Sequence, residues 1–342
     1  MVLLELLLAI AFAGCSRPEP PSQDVILPLA SFGEDSLPLV EVELSGRRVP
    51  FILDFGAGPT IVSRQLCDTL GCQSAGRMAG VRHTGEVLEL PLVTVPSLQV
   101  GPIRHTELVV AVMDLSPWQQ VAPIAGVLSL QPLEHAHFTL DLARHELAVG
   151  RSSSARAATA DSARTRVALI REHPDALTLA LPVFLGGRSV GWGLVDTGSP
   201  QTYLHAYWKD ALAQHGRPLA ARDERGWTGL RESVQYWAVR RLAVLDPRIA
   251  VDSMTVGLKR MVPDALIGLD WLRRHVLSCD LDARWCTVRQ AGPLVHGPAG
   301  PLNDGKELRP NMRLKLSVRA LYIGAHPLRG AARAARSLSA TR

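Results

Sequence analysis

The sequence predicts an all-β protein built from two copies of one unit, and three observations carry that expectation. Short Val- and Leu-rich strands, split by Gly or Pro, recur through the body of the chain; Val40-Glu41-Val42-Glu43-Leu44 alternates with the two-residue period of a strand. The apolar run Gly193-Leu194-Val195 leads into Asp196-Thr197-Gly198-Ser199, and Phe51-Ile52-Leu53 leads in the same way into Asp54-Phe55-Gly56-Ala57. Asp54 and Asp196 are 142 residues apart, while Leu133 and Leu272, and Asp141 and Asp280, are each 139 apart. A register that drifts so little across a whole copy marks a duplication.

The chain has 342 residues, 47% hydrophobic and 20% charged, which suits ordinary globular material of about two domains. Its net charge of +5 is unevenly held. Residues 289–342 contain ten Lys or Arg against Asp304 and Glu307, so the remainder is weakly acidic. That balance gives no nucleic-acid footprint over the fold itself.

Residues 1–15 read as a signal peptide. The apolar run to Ala13 is too short to span a bilayer, and Phe12-Ala13-Gly14-Cys15 resembles the lipobox of bacterial lipoproteins, although Glu5 and the lack of a preceding Lys or Arg depart from it. The resemblance implies lipidation at Cys15 and a lipid anchor in the bacterial cell envelope, facing the periplasm. Residues 16–24 form a Pro-rich tether. The first copy occupies 25–150, a Ser/Ala/Arg linker 151–164, the second copy 165–290, and a basic tail without a core 291–342.

Cysteine usage agrees with export. With Cys15 set aside, Cys67 and Cys72 form one close pair and Cys279 and Cys286 another, the latter flanking a hairpin turn. Disulfides in an oxidising compartment are favoured over a zinc site, because neither spacing comes with a paired His. His135 and His137 have no third ligand at a useful spacing and read as a polar turn, so no metal and no cofactor is expected. Asp141 and Asp280, at matched places, are expected to tie backbone at a strand end.

In its two Asp-x-Gly loops, and in Ala265-Leu266-Ile267-Gly268 followed by Leu269-Asp270-Trp271-Leu272, the chain resembles retropepsin-like and pepsin-like aspartic proteases in a tandem, two-copy form. The resemblance covers both copies. It implies two acid-protease β-barrel lobes related by a pseudo-two-fold axis, in a monomer where Asp54 and Asp196 meet as the catalytic pair. Two close carboxyls hold one proton between them; the ionised one activates water while the other protonates the substrate carbonyl. It also implies flap hairpins, for which Thr84-Gly85 and Thr228-Gly229 are the candidates, with His83 and Trp227 facing substrate.

Copy one departs from the family pattern. Phe55 stands where Thr197 stands in copy two, so only half of the usual cross-axis Thr bracing is expected. Ser129 stands for Gly268, so the backbone under Asp54 is expected to sit differently. Ala57 stands for Ser199, a benign change by the resemblance since retroviral-type sites also use Ala there, but the loss of one Ser hydrogen bond is expected to raise the Asp54 pKa and move activity toward neutral pH. Two functions fit these residues: an envelope-anchored aspartic endopeptidase acting on polypeptide substrates, or a degenerate relative whose cleft binds a peptide or partner without cleaving it.

Overall fold

The computed structural model describes residues 24–32, 37–120, 122–150, 164–225 and 231–293. The signal peptide with Cys15, most of the tether, linker and tail, and the Trp227-Thr228-Gly229 flap tip lie outside these residues. The described chain is predominantly β, in one thirteen-stranded and one eleven-stranded sheet. None of its helices is long and apolar enough to cross a membrane.

Each copy opens with a hairpin. Leu37–Leu44 pairs with Arg47–Leu53 around Ser45-Gly46, and Ala176–Leu185 pairs with Arg188–Val195 around Gly186-Gly187. All four turn residues have positive φ (49° and 79°, 60° and 85°), the two-residue geometry whose twist matches the flanking strands. Glycine is favoured at Gly186 on a second ground, because a Cβ there would meet the His215 ring.

The outgoing strand of each hairpin then lies parallel to a short buried strand: Phe51 pairs with Gly126, and Gly193 with Ala265. The chain leaves that strand at the acid, loops, and returns antiparallel on the other side, pairing Ile61 with Val127 and Tyr203 with Leu266. Each acid therefore sits where a strand ends between two neighbours. The backbone N–H of Asp54 bonds the Leu128 carbonyl at 2.9 Å, and that of Asp196 bonds the Ile267 carbonyl at 3.0 Å.

The copies are joined by a strand path that reads the same from either end. Val25–Phe32, Glu146–Gly150 and His137–Asp141 run up to the midline, and His275–Asp280, Trp285–Gln290 and Thr165–Arg166 run away from it. At the centre, equivalent residues face each other: Thr139 pairs with Ser278, their hydroxyls 2.8 Å apart. Asp141 accepts the Arg144 N–H and Asp280 accepts the Ala283 N–H, each holding its own turn as the sequence suggested. One buried cluster runs from Leu29 to Val288 through both copies, so the lobes share a core as well as a sheet.

The cysteines divide. Cys279 and Cys286 are cross-strand partners joined by a disulfide. Cys67 and Cys72 are free thiols, contrary to expectation. The helix Arg64–Leu70 is closed instead by its cap: Gly71 takes φ +63°, and the N–H groups of Gly71 and Cys72 both reach the Cys67 carbonyl. Burial and the neighbouring Cys67 thiol push Cys72 up to about 12, which keeps it protonated.

Candidate active site

The two acids meet. Asp54 Oδ1 accepts the N–H groups of Gly56 (2.9 Å) and Ala57 (3.1 Å), and Asp196 Oδ1 accepts that of Gly198 (3.0 Å). Each loop glycine faces the opposite acid. A Cβ on Gly56 would lie 2.5 Å from the Asp196 Cγ, and one on Gly198 would lie 2.5 Å from the Asp54 Cγ. The carboxyls are within hydrogen-bonding reach of one another, and both are buried.

Their environments differ. Burial pushes Asp54 up to about 6, with the Gly56 and Ala57 N–H groups and Asp196 opposing the rise. Burial raises Asp196 well above the ordinary carboxylate range and the Asp54 charge raises it further, against the Gly198 N–H and Lys259. Asp54 has more donors aimed at its charged form, so it is the member that ionises first. The pair titrates as a unit.

The departures of copy one look different in three dimensions. Thr197 Oγ1 accepts the Phe55 N–H at 2.9 Å and donates to the Leu53 carbonyl at 2.7 Å, so the half of the bracing that a single Thr can make is intact. The Phe55 ring is fully buried, edge-on to Phe138 with centroids 5.1 Å apart.

Ser129 does not displace the backbone under Asp54, since the strand-end bond matches that of the other copy. Its hydroxyl replaces a carboxylate. In copy two, Thr202 Oγ1 accepts the Gly268 N–H and donates to Asp270. In copy one, Thr60 Oγ1 accepts the Ser129 N–H and pairs with the Ser129 hydroxyl, which in turn accepts the Gln131 N–H. Gly268 has no such freedom, because a Cβ there would collide with the Gln201 backbone.

Nor does Ala57 cost Asp54 a partner. Ser199 Oγ, its counterpart, donates to the Gln201 carbonyl rather than to Asp196. The raised value at Asp54 comes from burial, which also raises Asp196, where the Ser is present.

The first flap candidate lies in a hairpin of Gln73–Val81 and Val87–Val100, closed by Arg82–Glu86 with Gly85 at φ +90°. It is shut against the second lobe. The Val262 N–H donates to the His83 carbonyl at 2.7 Å, and His83 Nε2 is 3.1 Å from the Lys259 ammonium. The second hairpin pairs Arg222–Arg225 with Arg231–Val239.

Lys259 is the residue the sequence reading missed. It is 7% exposed, 3.9 Å above the Tyr203 ring, and electrostatically coupled to Asp196. The parallel pairings Ser63 with Met113 and His205 with Lys259 make it the counterpart of Met113. A charge at a buried strand position that is Met in the other copy was the available signal. The two lie 146 residues apart, so a fixed offset of 139 or 142 does not align them. No group of three or more His, Cys, Asp or Glu that could hold a metal exists among the described residues.

Residues 40–131 match a family model described as aspartyl protease. The match lies within the first lobe, and it is a likeness of that lobe to aspartyl proteases. No curated protein matches the chain in sequence. Among solved structures it is similar to basic 7S globulin from soybean (13% identity, 80% of this chain and 96% of that chain covered, TM-score 0.46). It is also similar to edgp (7%, 79% and 95%, TM-score 0.49) and to conglutin gamma, a basic 7S globulin from lupine seeds (12%, 79% and 95%, TM-score 0.48).

Proposed function

We propose that the protein is an aspartic endopeptidase in which Asp54 and Asp196 share one proton and hydrolyse peptide bonds through a water held between them. The observation that carries this reading is the abutment of two buried carboxyls in unlike surroundings. Asp54, the readier to ionise, takes a proton from water. Asp196 keeps its proton and gives it to the carbonyl oxygen as the tetrahedral intermediate forms. Gly56 and Gly198 let the loops approach, and Thr197 holds them in register. Asp54→Asn and Asp196→Asn, made separately, should each abolish cleavage of an unfolded protein; retention of cleavage by either would defeat the shared site.

We further propose that the enzyme works as a monomer anchored through lipid on Cys15 at the bacterial envelope. Labelled fatty acid should enter the wild type and not Cys15→Ser. A second reading, peptide binding without cleavage, draws on Phe55, which offers no hydroxyl where copy two has one. The same two Asn variants separate the readings, since binding without turnover would be common to all three proteins.

A further inference from the structure

Both acids are buried, and the Arg82–Glu86 turn is held through His83 against the Lys259–Val262 segment beside Asp196. Raising that turn breaks the His83–Val262 and His83–Lys259 contacts together. What it uncovers beside Asp196 is an ammonium. In the closed state the direct partners of Lys259 are the His83 ring nitrogen and the face of Tyr203, and no carboxylate lies within ion-pair distance among the described residues. Glu232 and Asp196 act on the ammonium through space without a direct bond, and burial without such a bond is unfavourable, so a ligand carboxylate bonded to it would stabilise it.

A second cation, Arg260, follows in the chain, while the nearby Asp264 carboxylate is taken up by the Tyr207 hydroxyl and the Trp192 N–H. From Lys259 the segment continues through Arg260 to Val262, along a cleft of about 510 Å³ at the flap tip. Thr84, His205, Tyr207, Arg260 and Val262 line it, with no carboxylate among the lining residues. Arg82, also buried, reaches back to Glu86 at 2.9 Å.

We propose that Lys259 makes the wall beside Asp196 a subsite for a carboxylate side chain, so that the favoured substrates carry Asp or Glu next to the bond that is cut. The proposal rests on Asp54 and Asp196 being the peptide-hydrolysing pair proposed above. It assigns Lys259 a role in specificity: its ammonium exchanges the His83 nitrogen for a substrate carboxylate oxygen, a charge-assisted bond in a site of low polarity. The Met113 counterpart shows that the strand position accepts an uncharged side chain of similar length.

The test uses full-length protein and peptide pairs identical except for Glu or Gln, walked across the positions around the cleavage point. The readout is the Glu/Gln ratio, taken as kcat/KM where the peptides are cut and as 1/Kd where they are bound uncut. Failure of the peptidase reading therefore stays distinguishable from failure of the subsite. At one position the wild type should prefer Glu by about tenfold or more, the usual worth of a hydrogen bond to a charged group. Lys259→Met should bring the ratio to about one, and Lys259→Arg should restore part of it. Lys259→Gln gives the same comparison if the Met variant does not fold. No Glu preference at any position in the wild type, a preference that survives in Lys259→Met, or equal losses on both peptides would each overturn the proposal, the last marking Lys259 as a flap contact alone.

Discussion

The hydroxyl of Thr197 donates to the carbonyl of Leu53 at 2.7 Å, tying the loop of one acid to the strand that delivers the other. It also accepts the Phe55 N–H, and all of these groups are buried. Thr197→Val keeps the shape and removes both bonds, leaving a buried N–H and a buried C=O without that partner. Stability should fall by about 2 kcal/mol. Peptidase activity should fall further than stability accounts for, because the loops lose their common anchor. Urea unfolding alongside kcat/KM checks this; a variant with wild-type kcat/KM would show that the bond is not needed to position the acids.

Phe55 invites the opposite substitution. Phe55→Thr supplies the hydroxyl that copy one lacks, yet it removes a fully buried ring packed on Phe138. The cavity should cost about 3 kcal/mol or more. The expected outcome is a lower denaturation midpoint whatever happens to activity. An unchanged midpoint would mean that Phe55 is not a core residue in solution.

Gly56 and Gly198 are constrained by the partner acid rather than by backbone angles. Gly56→Ala drives a methyl into the Asp196 carboxyl, and Gly198→Ala drives one into Asp54. Each should cut kcat/KM by about 100-fold or more, since a displacement near 1 Å at the reacting groups has that effect. Fold, read by circular dichroism, should persist. Two active Ala variants would mean that the carboxyls do not abut.

The fold was legible because the duplication is written in the sequence. The Asp-x-Gly loops, the two-residue turns and the Asp141/Asp280 pair all repeat, and each repeats again in space. The pairing of Thr139 with Ser278 follows from the same alignment. What was not legible are relations between unlike residues. Nothing local tells that Ser129 takes the part of Asp270, that the Ser199 hydroxyl turns to Gln201, or that Lys259 points at the opposite flap. These depend on which side chain meets which across the axis, where the copies have diverged.

The cysteines offer a covalent check on the same fold. Cys279 and Cys286 lie on paired strands and are bonded, whereas Cys67 and Cys72 are thiols at a helix end. Alkylation of the denatured, unreduced protein followed by peptide mapping should find Cys67 and Cys72 modified and Cys279 linked to Cys286. A Cys67–Cys72 link in freshly purified protein would contradict the thiol assignment.

The shared proton should be visible in stability as well as in rate. Asp54 in the folded protein stands at about 6, and burial with the Asp54 charge also raises Asp196 well above the 3.8 of an ordinary aspartate. The folded state thus binds protons more tightly than the unfolded one. The stability this contributes is fully present below about pH 4 and is lost as pH rises through 6 and beyond. At neutral pH the charged site therefore opposes folding, by on the order of 2–3 kcal/mol for Asp54 alone. Asp54→Asn cannot ionise and is spared that loss. Relative to wild type, its unfolding midpoint should rise by about 5 °C at pH 7.5 and change little at pH 4. Asp196→Asn should behave in the same direction. Calorimetric midpoints at the two pH values decide the matter: an offset between variant and wild type that is the same at both would show that neither carboxyl holds its proton more tightly in the folded state, and the acid–base roles assigned to the pair would go with it.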